Sequence, residues 1–160
     1  MTIVIRCETG DDVEIAAESL VGASLSKLNL HRALLEKQDL RHADLSESDL
    51  RSAWLEDANL ECANLEGARM PACNASRARF VRANLSGALM RSATLEDADF
   101  TGADLRNADA GRSRLAGAVF DGADLRTANL AGADLEGATA DKATQWPPGF
   151  DPVAHGVRIT

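Results

Sequence analysis

The sequence predicts an all-β solenoid, in which the chain winds in repeated coils around an aliphatic core. Three observations predict this fold class. A large apolar residue or an alanine recurs at every fifth position, a column of small residues lies two positions before it, and glycines gather two positions after it. An α-helix repeats near 3.6 residues and a strand near 2, so neither brings every fifth side chain to one side. A coil that turns a corner once in each five-residue repeat does so.

The five-residue repeat runs without a break from Leu20 to Ala140. Its 25 core positions hold 17 Leu, 3 Phe, 2 Met and 3 Ala, and the 24 positions of the small column hold 19 Ala. The residue between the two columns is often Asp or Asn, which we expect to bond to the backbone or to water rather than to bind calcium. The next two residues are mostly polar, charged or Gly, and we expect them to form the corner, where Gly relaxes backbone limits.

Three phenylalanines indicate how many repeats make one coil. Phe80, Phe100 and Phe120 lie twenty residues apart, a spacing of four repeats. If four repeats make one coil, the three rings stack in a single column, whereas three repeats per coil would scatter them over three sides. We therefore predict twenty residues per coil. The predicted structural core includes these three rings together with Leu45, Leu65, Leu85, Leu105 and Leu125.

The units "ADLSE", "ANLEG", "ADLRN" and "ANLAG" resemble the repeats of the pentapeptide-repeat family. The resemblance covers residues 20–140 in one uninterrupted frame. It implies that family's fold, a right-handed quadrilateral β-helix. At the ~4.8 Å strand spacing, the repeats then give about six coils and a rod roughly 29 Å long.

Both ends of the chain leave the repeat. Residues 1–19 include "TIVIRCETGDDVEI", in which apolar residues alternate on either side of a "TGDD" turn, and this pattern predicts a β-hairpin over the first coil. The β-helix is predicted for residues 20–143. In residues 144–160, Trp146 and Phe150 supply bulk and two prolines stop strand propagation. We expect this tail to cap the last coil; a homodimer surface is the alternative.

Composition narrows the class of function. The chain has 25 acidic and 17 basic residues, a net charge of −8, which disfavours direct nucleic-acid binding. We find no signal peptide and no apolar run near the ~20 residues of a membrane span, so we expect a soluble, cytoplasmic protein with no membrane partner. The three cysteines match no metal-ligand spacing and suit a reducing compartment. No catalytic constellation or phosphate-binding loop is present, so we expect neither an enzyme nor a cofactor.

Charges sort unevenly around a coil of four repeats. One side carries five arginines against two aspartates, a balance of +3, and the next carries seven acidic against three basic residues, a balance of −4. A charged coat that only keeps the rod soluble is the alternative to a functional surface. The basic face comprises Arg32, Arg51, Arg69, Arg91 and Arg112. The acidic face comprises Glu36, Glu56, Asp57, Glu96, Asp97, Asp134 and Glu136.

On the acidic face, Leu34 and Trp54 hold successive outward positions of one column. A large apolar pair flanked by charge is typical of an interface centre. The pair and the acidic face together form the candidate interface for a protein partner. Packing of Trp54 along its own rod, or contact with the N-terminal hairpin, explains the same residues equally well.

The family resemblance implies one specific function. Some pentapeptide-repeat proteins resemble B-form DNA in shape and acidity, bind bacterial type II topoisomerases (DNA gyrase or topoisomerase IV) and protect them from inhibitors, which gives antibiotic resistance or self-immunity. The rod shape and net acidity are compatible with such a DNA mimic. A DNA segment of the rod's length carries about 17 charges, and the basic face has no counterpart on DNA. A generic protein-binding scaffold is therefore the alternative.

Overall fold

The chain forms one continuous coil that begins with a small antiparallel hairpin. The computed structural model describes all of residues 1–160. Strands β1 (Thr2–Ile5) and β2 (Val13–Ala16) form the hairpin, within the segment for which the sequence predicts one. In the connection between these two strands, Cys7 makes an antiparallel bridge to Ala33, so the hairpin is joined to one side of the first coil.

Residues twenty apart pair with each other throughout the coil. Four ladders of isolated parallel bridges run along the rod, and each continues in steps of twenty residues. The Leu45 N–H donates to the Asn64 carbonyl (2.7 Å), and the Asn64 N–H donates back to the Ala43 carbonyl (2.9 Å). The same two bonds recur from coil to coil, so each coil satisfies the backbone groups of its neighbour.

The large inward column is buried throughout, and the small column is buried except at Leu28, Gln38, Ala128 and Ala133, in the first and last coils. The rings of Phe80, Phe100 and Phe120 stack in one column, with centroids 5.0 and 5.3 Å apart and planes within 4° and 5° of parallel. Ser48 and Ser113 replace alanine in the small column, and each hydroxyl donates to the carbonyl three residues earlier (2.7 and 2.6 Å), which satisfies the buried group. A neighbouring column, nowhere more than 3% exposed, consists of Leu45, Leu65, Leu85, Leu105 and Leu125.

The corners use the left-handed region of the backbone. Of the 24 corner positions from Gly22 to Gly137, 23 have φ between +52° and +72°, and fifteen of these carry a side chain. A side chain in this conformation costs about 1–2 kcal/mol. Thr127 is the exception, because a β-branched residue suits positive φ poorly. There the Thr127 Oγ1 accepts the Asn107 N–H (2.8 Å) in place of a corner carbonyl.

The Asp and Asn residues between the two columns complete the corners. All fourteen accept, through Oδ1, the N–H of the residue two positions later; the bond from Arg106 to Asp104 is 3.0 Å long. The Arg106 guanidinium also bonds to Asp104 and lowers the pKa of that carboxyl. These side chains are thus part of the backbone turn, as the backbone-bonding interpretation predicts.

The tail continues the ladders on two sides of the last coil. Gln145 pairs in parallel with Asp124, and β3 (Thr139–Ala140) pairs in parallel with β4 (Arg158–Ile159). A 3-10 helix spans Val153–His155. No helix in the structure is long and apolar enough to cross a membrane.

Aromatic side chains of the tail cover the end of the phenylalanine column. Trp146 packs against Phe120 with ring centroids 5.7 Å apart, and Phe150 stacks on Trp146 at 5.3 Å. Val157 is buried against the same core. The tail therefore packs on its own rod in this structure, and its use as a homodimer surface stays a prediction.

We expect Leu85→Asp to abolish folding, because it places a carboxylate in a fully buried column. The loss should exceed about 4 kcal/mol. Leu89→Asp is the matched control, since Leu89 points outward and is 44% exposed, and it should change stability by less than about 0.5 kcal/mol. Circular dichroism and urea unfolding measure both. A folded Leu85→Asp variant with the wild-type midpoint would contradict the buried column.

The backbone cost of the corners can be measured with a reciprocal pair of substitutions. Gly122 has φ +66°, and a Cβ added there would meet no atom within 4 Å, so Gly122→Ala should lose about 1 kcal/mol through backbone conformation alone. Ala72 has φ +54° at an exposed corner, so Ala72→Gly should gain a similar amount. Urea unfolding midpoints report both. Changes of the same sign in the two unfolding midpoints would show that a side chain at positive φ does not destabilise the corners.

Candidate interaction surfaces

Ion pairs neutralise part of the acidic face. Arg77 contacts both Glu56 and Asp57, with its Nε 2.8 Å from Asp57 Oδ1, and it lowers the pKa of Asp57 through these hydrogen bonds. Arg114 contacts Glu96 at 2.5 Å. Three of the seven predicted acidic residues are therefore paired. The carboxylates without an ion pair belong to Glu36, Asp97, Asp134 and Glu136.

The four unpaired carboxylates are spread along the rod. Glu36 and Glu136 stand on one side of the coil five steps of twenty residues apart, which is roughly 24 Å. Asp97 and Asp134 are exposed. Glu136 lies beside the tail, where a Cβ on Gly156 would collide with its carboxylate, so glycine is needed at that close approach. The acidic face is thus a sparse row of charge rather than a continuous patch.

Leu34 and Trp54 are neighbours, but they differ in exposure. A parallel bridge joins them, and Leu34 is 38% exposed, whereas Trp54 is half-buried. The Trp54 Nε1 is buried without a hydrogen-bond partner. The indole lines a cleft of about 230 Å³ together with Glu8, His31 and Arg32. The Trp54 indole thus borders a cleft whose charged residues are Arg32 of the basic face and Glu8 of the N-terminal segment. No residue of the acidic face lines this cleft, although the sequence places Trp54 on that face.

The N-terminal segment borders Leu34 directly. The Leu34 N–H donates to the Arg6 carbonyl (2.8 Å), and the Glu8 N–H donates to the Arg32 carbonyl (3.1 Å). A second groove, of about 210 Å³, lies beside Leu34 and is lined mainly by apolar residues of the hairpin and the first coil. The sequence leaves two alternatives to an interface, packing along the rod and contact with the N-terminal hairpin. At Leu34 the structure shows contact with the N-terminal segment.

Ion pairs also neutralise part of the basic face. Arg51 pairs with Asp49 (2.6 Å) and Arg91 with Asp109 (3.3 Å), as the face's own aspartates allow. Arg32 pairs with Glu8 (2.8 Å), which lies outside the repeat. Including Glu8 reduces the face's balance from +3 to +2. The arginines without an ion pair are Arg69 and Arg112.

Leu89 is a surface feature of the basic face that the sequence reasoning missed. It forms parallel backbone bridges with Arg69 in the preceding coil and with Asp109 in the following coil, and it is 44% exposed. The signal was present in the sequence, because Leu89 stands in the column that Asp or Asn usually occupies.

The buried thiols and the metal-ligating residue types form no cluster in the structure. Burial raises the pKa of the Cys73 thiol to about 12, so it stays protonated and unreactive near neutral pH. No group of three or more His, Cys, Asp or Glu side chains is placed to hold a metal ion. The rod's interior is filled with apolar side chains, so the surfaces described above are its candidate sites.

Comparisons with known proteins agree with the repeat frame. A family model described as pentapeptide repeats matches the chain in eight copies, over residues 19–57, 58–97, 73–115 and 111–144. The crystal structure of alr5209, a pentapeptide repeat protein from Nostoc PCC 7120, is 36% identical, with a TM-score of 0.55, and the match covers 70% of this chain and 84% of that one. No curated protein sequence is significantly similar to this chain.

Two other structures align more loosely. HetL, a pentapeptide repeat protein involved in heterocyst differentiation regulation in Nostoc sp. strain PCC 7120, is 27% identical over 84% of this chain and 76% of its own, with a TM-score of 0.47. QnrB1, a plasmid-mediated fluoroquinolone resistance protein, is 19% identical over 91% of this chain and 92% of its own, with a TM-score of 0.40. With TM-scores this low, neither likeness bears on function. From the family-model match and the identity to alr5209, the chain belongs to the pentapeptide-repeat family and has its β-helix fold.

Proposed function

We propose that this protein is a non-catalytic rod that binds a protein partner through its acidic face. The observation that carries this proposal is the row of unpaired carboxylates on one side of a rod whose interior is filled. Side chains on such a face are free to meet a partner, because the backbone that carries them is already bonded into the ladders. The chain supplies no cavity inside the coil for a substrate.

The shape of this rod follows from the ladders. Four ladders and a twenty-residue step support a quadrilateral coil, and the repeat length supports about six coils. Family membership supports a right-handed winding. A rod of this kind approaches the length of one turn of B-DNA, which is about 34 Å.

The most concrete form of the proposal is DNA mimicry. In this form the acidic face takes the place of DNA on a bacterial type II topoisomerase, DNA gyrase or topoisomerase IV, and the bound protein protects the enzyme from inhibitors. The net charge of −8 supports this version. The unpaired carboxylates supply the attraction, since paired ones present little net charge to a partner.

A second candidate function is a generic interaction scaffold centred on Leu34. An exposed leucine beside a half-buried tryptophan and two grooves favours it. In this version apolar contact at the N-terminal end, rather than charge along the side, provides the affinity.

The topoisomerase version predicts a measurable effect on gyrase. At micromolar concentration the protein should inhibit DNA supercoiling or restore it in the presence of a topoisomerase poison. Neutralising the four unpaired carboxylates (Glu36→Gln, Asp97→Asn, Asp134→Asn and Glu136→Gln) should weaken this effect at least about tenfold, through lost charge complementarity.

A matched control separates the acidic face from net charge. The control variant neutralises four exposed acidic residues elsewhere that have no ion pair, Asp11, Glu14, Glu18 and Glu66, and so changes the net charge equally. It should retain the activity. Neither protection nor inhibition by the wild-type protein would reject the topoisomerase version, and equal losses in the two variants would reject the acidic face as the binding surface.

The scaffold version predicts a different sensitivity. Pull-down with the wild-type protein should capture a partner that Leu34→Ala loses, because truncating an apolar anchor typically costs a complex 1 kcal/mol or more, or about fivefold in affinity. Trp54→Ala should weaken capture as well, while Leu89→Ala, an equally exposed leucine on the basic face, should not. Capture that is unchanged by Leu34→Ala and Trp54→Ala would count against this patch.

A further inference from the structure

Two sides of the last coil have no partner strand. On one side the Leu135 N–H and the Ala133 carbonyl are free, and the other consists of residues 128–132, at the end of the ladder that runs from Asn29 to Asn129. In every earlier coil of this ladder, the next coil makes three hydrogen bonds to the equivalent residues. Above this edge, for example, the Ala110 and Arg112 N–H groups donate to the Asn129 and Ala131 carbonyls, and the Asn129 N–H donates to the Ala108 carbonyl (all 2.9 Å). At residues 128–132 the Leu130 N–H, the Gly132 N–H and the Ala128 carbonyl make no such bonds.

The path of the tail explains why this edge is open. Gln145 still pairs with the last coil, but Pro147 and Pro148 follow, and proline has no N–H to donate to the Ala128 carbonyl. The Phe150 N–H is used within the tail, where it donates to the Pro147 carbonyl (3.0 Å). The chain rejoins the backbone ladders only at Gly156 and β4, on another side of the coil.

The unpaired groups open onto a groove. A space of about 320 Å³ lies between residues 128–132 and the tail loop, and its walls include Pro147, Phe150 and His155. Asn129 and Gly132 are exposed beside this groove. The groove therefore combines backbone donors and an acceptor with apolar walls.

The spacing of the free groups selects an extended backbone. In a parallel pair, a residue donates its N–H to the carbonyl of the residue before its partner, and its own carbonyl accepts the N–H of the residue after its partner. The free Ala128 carbonyl and Leu130 N–H flank Asn129 in this arrangement. A single residue of an incoming strand, parallel to residues 128–132, satisfies both.

Charge beside the groove adds a side-chain preference. Arg112 has no ion pair, and its side chain passes over Gly132, with its Cγ 3.5 Å from where a Cβ on Gly132 would stand. Gly132 has no side chain, so it leaves open space between Arg112 and the residue of an added strand that would lie directly beyond Gly132. An acidic side chain at that position could pair with the Arg112 guanidinium.

We propose that residues 128–132 bind an extended segment of a partner protein as an added parallel strand, with an acidic side chain beneath Gly132 that pairs with Arg112. This end site is separate from the acidic face and does not depend on a topoisomerase partner. Two arguments disfavour a second copy of the chain as the occupant. The hairpin packs on the core at the other end of the rod and obstructs head-to-tail stacking, and a two-fold tail-to-tail pair would bring its two equivalent edges together antiparallel rather than parallel.

The test uses a peptide that imitates the missing strand. Residues 46–53 (SESDLRSA) hold the equivalent place under residues 26–33, where Asp49 makes both bonds with its neighbour coil. The probe is this peptide, acetylated and amidated, with Ser52→Glu to supply the acidic residue. Titrated into the full-length ¹⁵N-labelled protein, it should shift the amide resonances of Leu130 and Gly132, with a Kd of about 1 mM or tighter.

Three matched changes examine the mode of binding. N-methylation of the peptide at Asp49 removes the N–H for the Ala128 carbonyl and should weaken binding about fivefold to tenfold. Arg112→Ala in the protein should weaken binding about threefold or more, while Arg69→Ala, an exposed and unpaired arginine of the same face, should leave it unchanged. All four measurements use folded protein, since both arginines are exposed.

Each contrary outcome overturns the proposal. Absence of shifts at millimolar peptide would show that the edge binds no strand. Equal affinity for the N-methylated peptide would show binding without strand addition, and shifts centred on the N-terminal hairpin would place the site elsewhere. A sedimentation coefficient that rises with protein concentration, together with broadened amide resonances of Leu130 and Gly132 in the absence of peptide, would identify a second copy as the occupant instead.

Discussion

The left-handed corner is the constraint on which the rest of this structure depends. One residue in each five adopts positive φ, and this turn returns the chain to the same side after twenty residues. Fifteen side-chain-bearing residues adopt it at about 1–2 kcal/mol each. The same repeat buries a leucine, worth about 1.5–3 kcal/mol before entropy is subtracted, and fourteen corners gain an Asp or Asn hydrogen bond. The strain is tolerated because each corner carries its own compensation.

This constraint divides the molecular surface into two kinds. Along the sides, the ladders use up the backbone groups, so a partner meets side chains only. At the ends, the ladders stop and backbone groups become free unless a cap satisfies them. The hairpin bonds to the coil near Leu34, and the tail satisfies two sides of the last coil but leaves the edges at Leu130 and Leu135 open. The proposed recognition by charge therefore uses the sides, and the proposed recognition by strand pairing uses an end.

The sequence contains the information for the coil because the repeat expresses a local rule. The spacing of Phe80, Phe100 and Phe120 predicts the step of twenty, and the alternating apolar residues predict the hairpin. The surroundings of Trp54 could not be predicted, because they depend on where residues outside the repeat, such as Glu8, come to lie. The open edge at Leu130 was missed for the same reason: two prolines indicate that a strand stops, but not which side of the last coil is left uncovered.

The pairing of charges also changes what the acidic face can do. Counting residues gives a balance of −4, but Arg77 and Arg114 already hold three of the seven carboxylates. Four unpaired carboxylates remain over roughly 24 Å, where B-DNA would carry about 14 charges. A partner that binds this face therefore cannot rely on the charge density that DNA offers. Attraction at this density speeds association and contributes part of the affinity, and the rest of the affinity has to come from the fit of a surface with a regular step between coils.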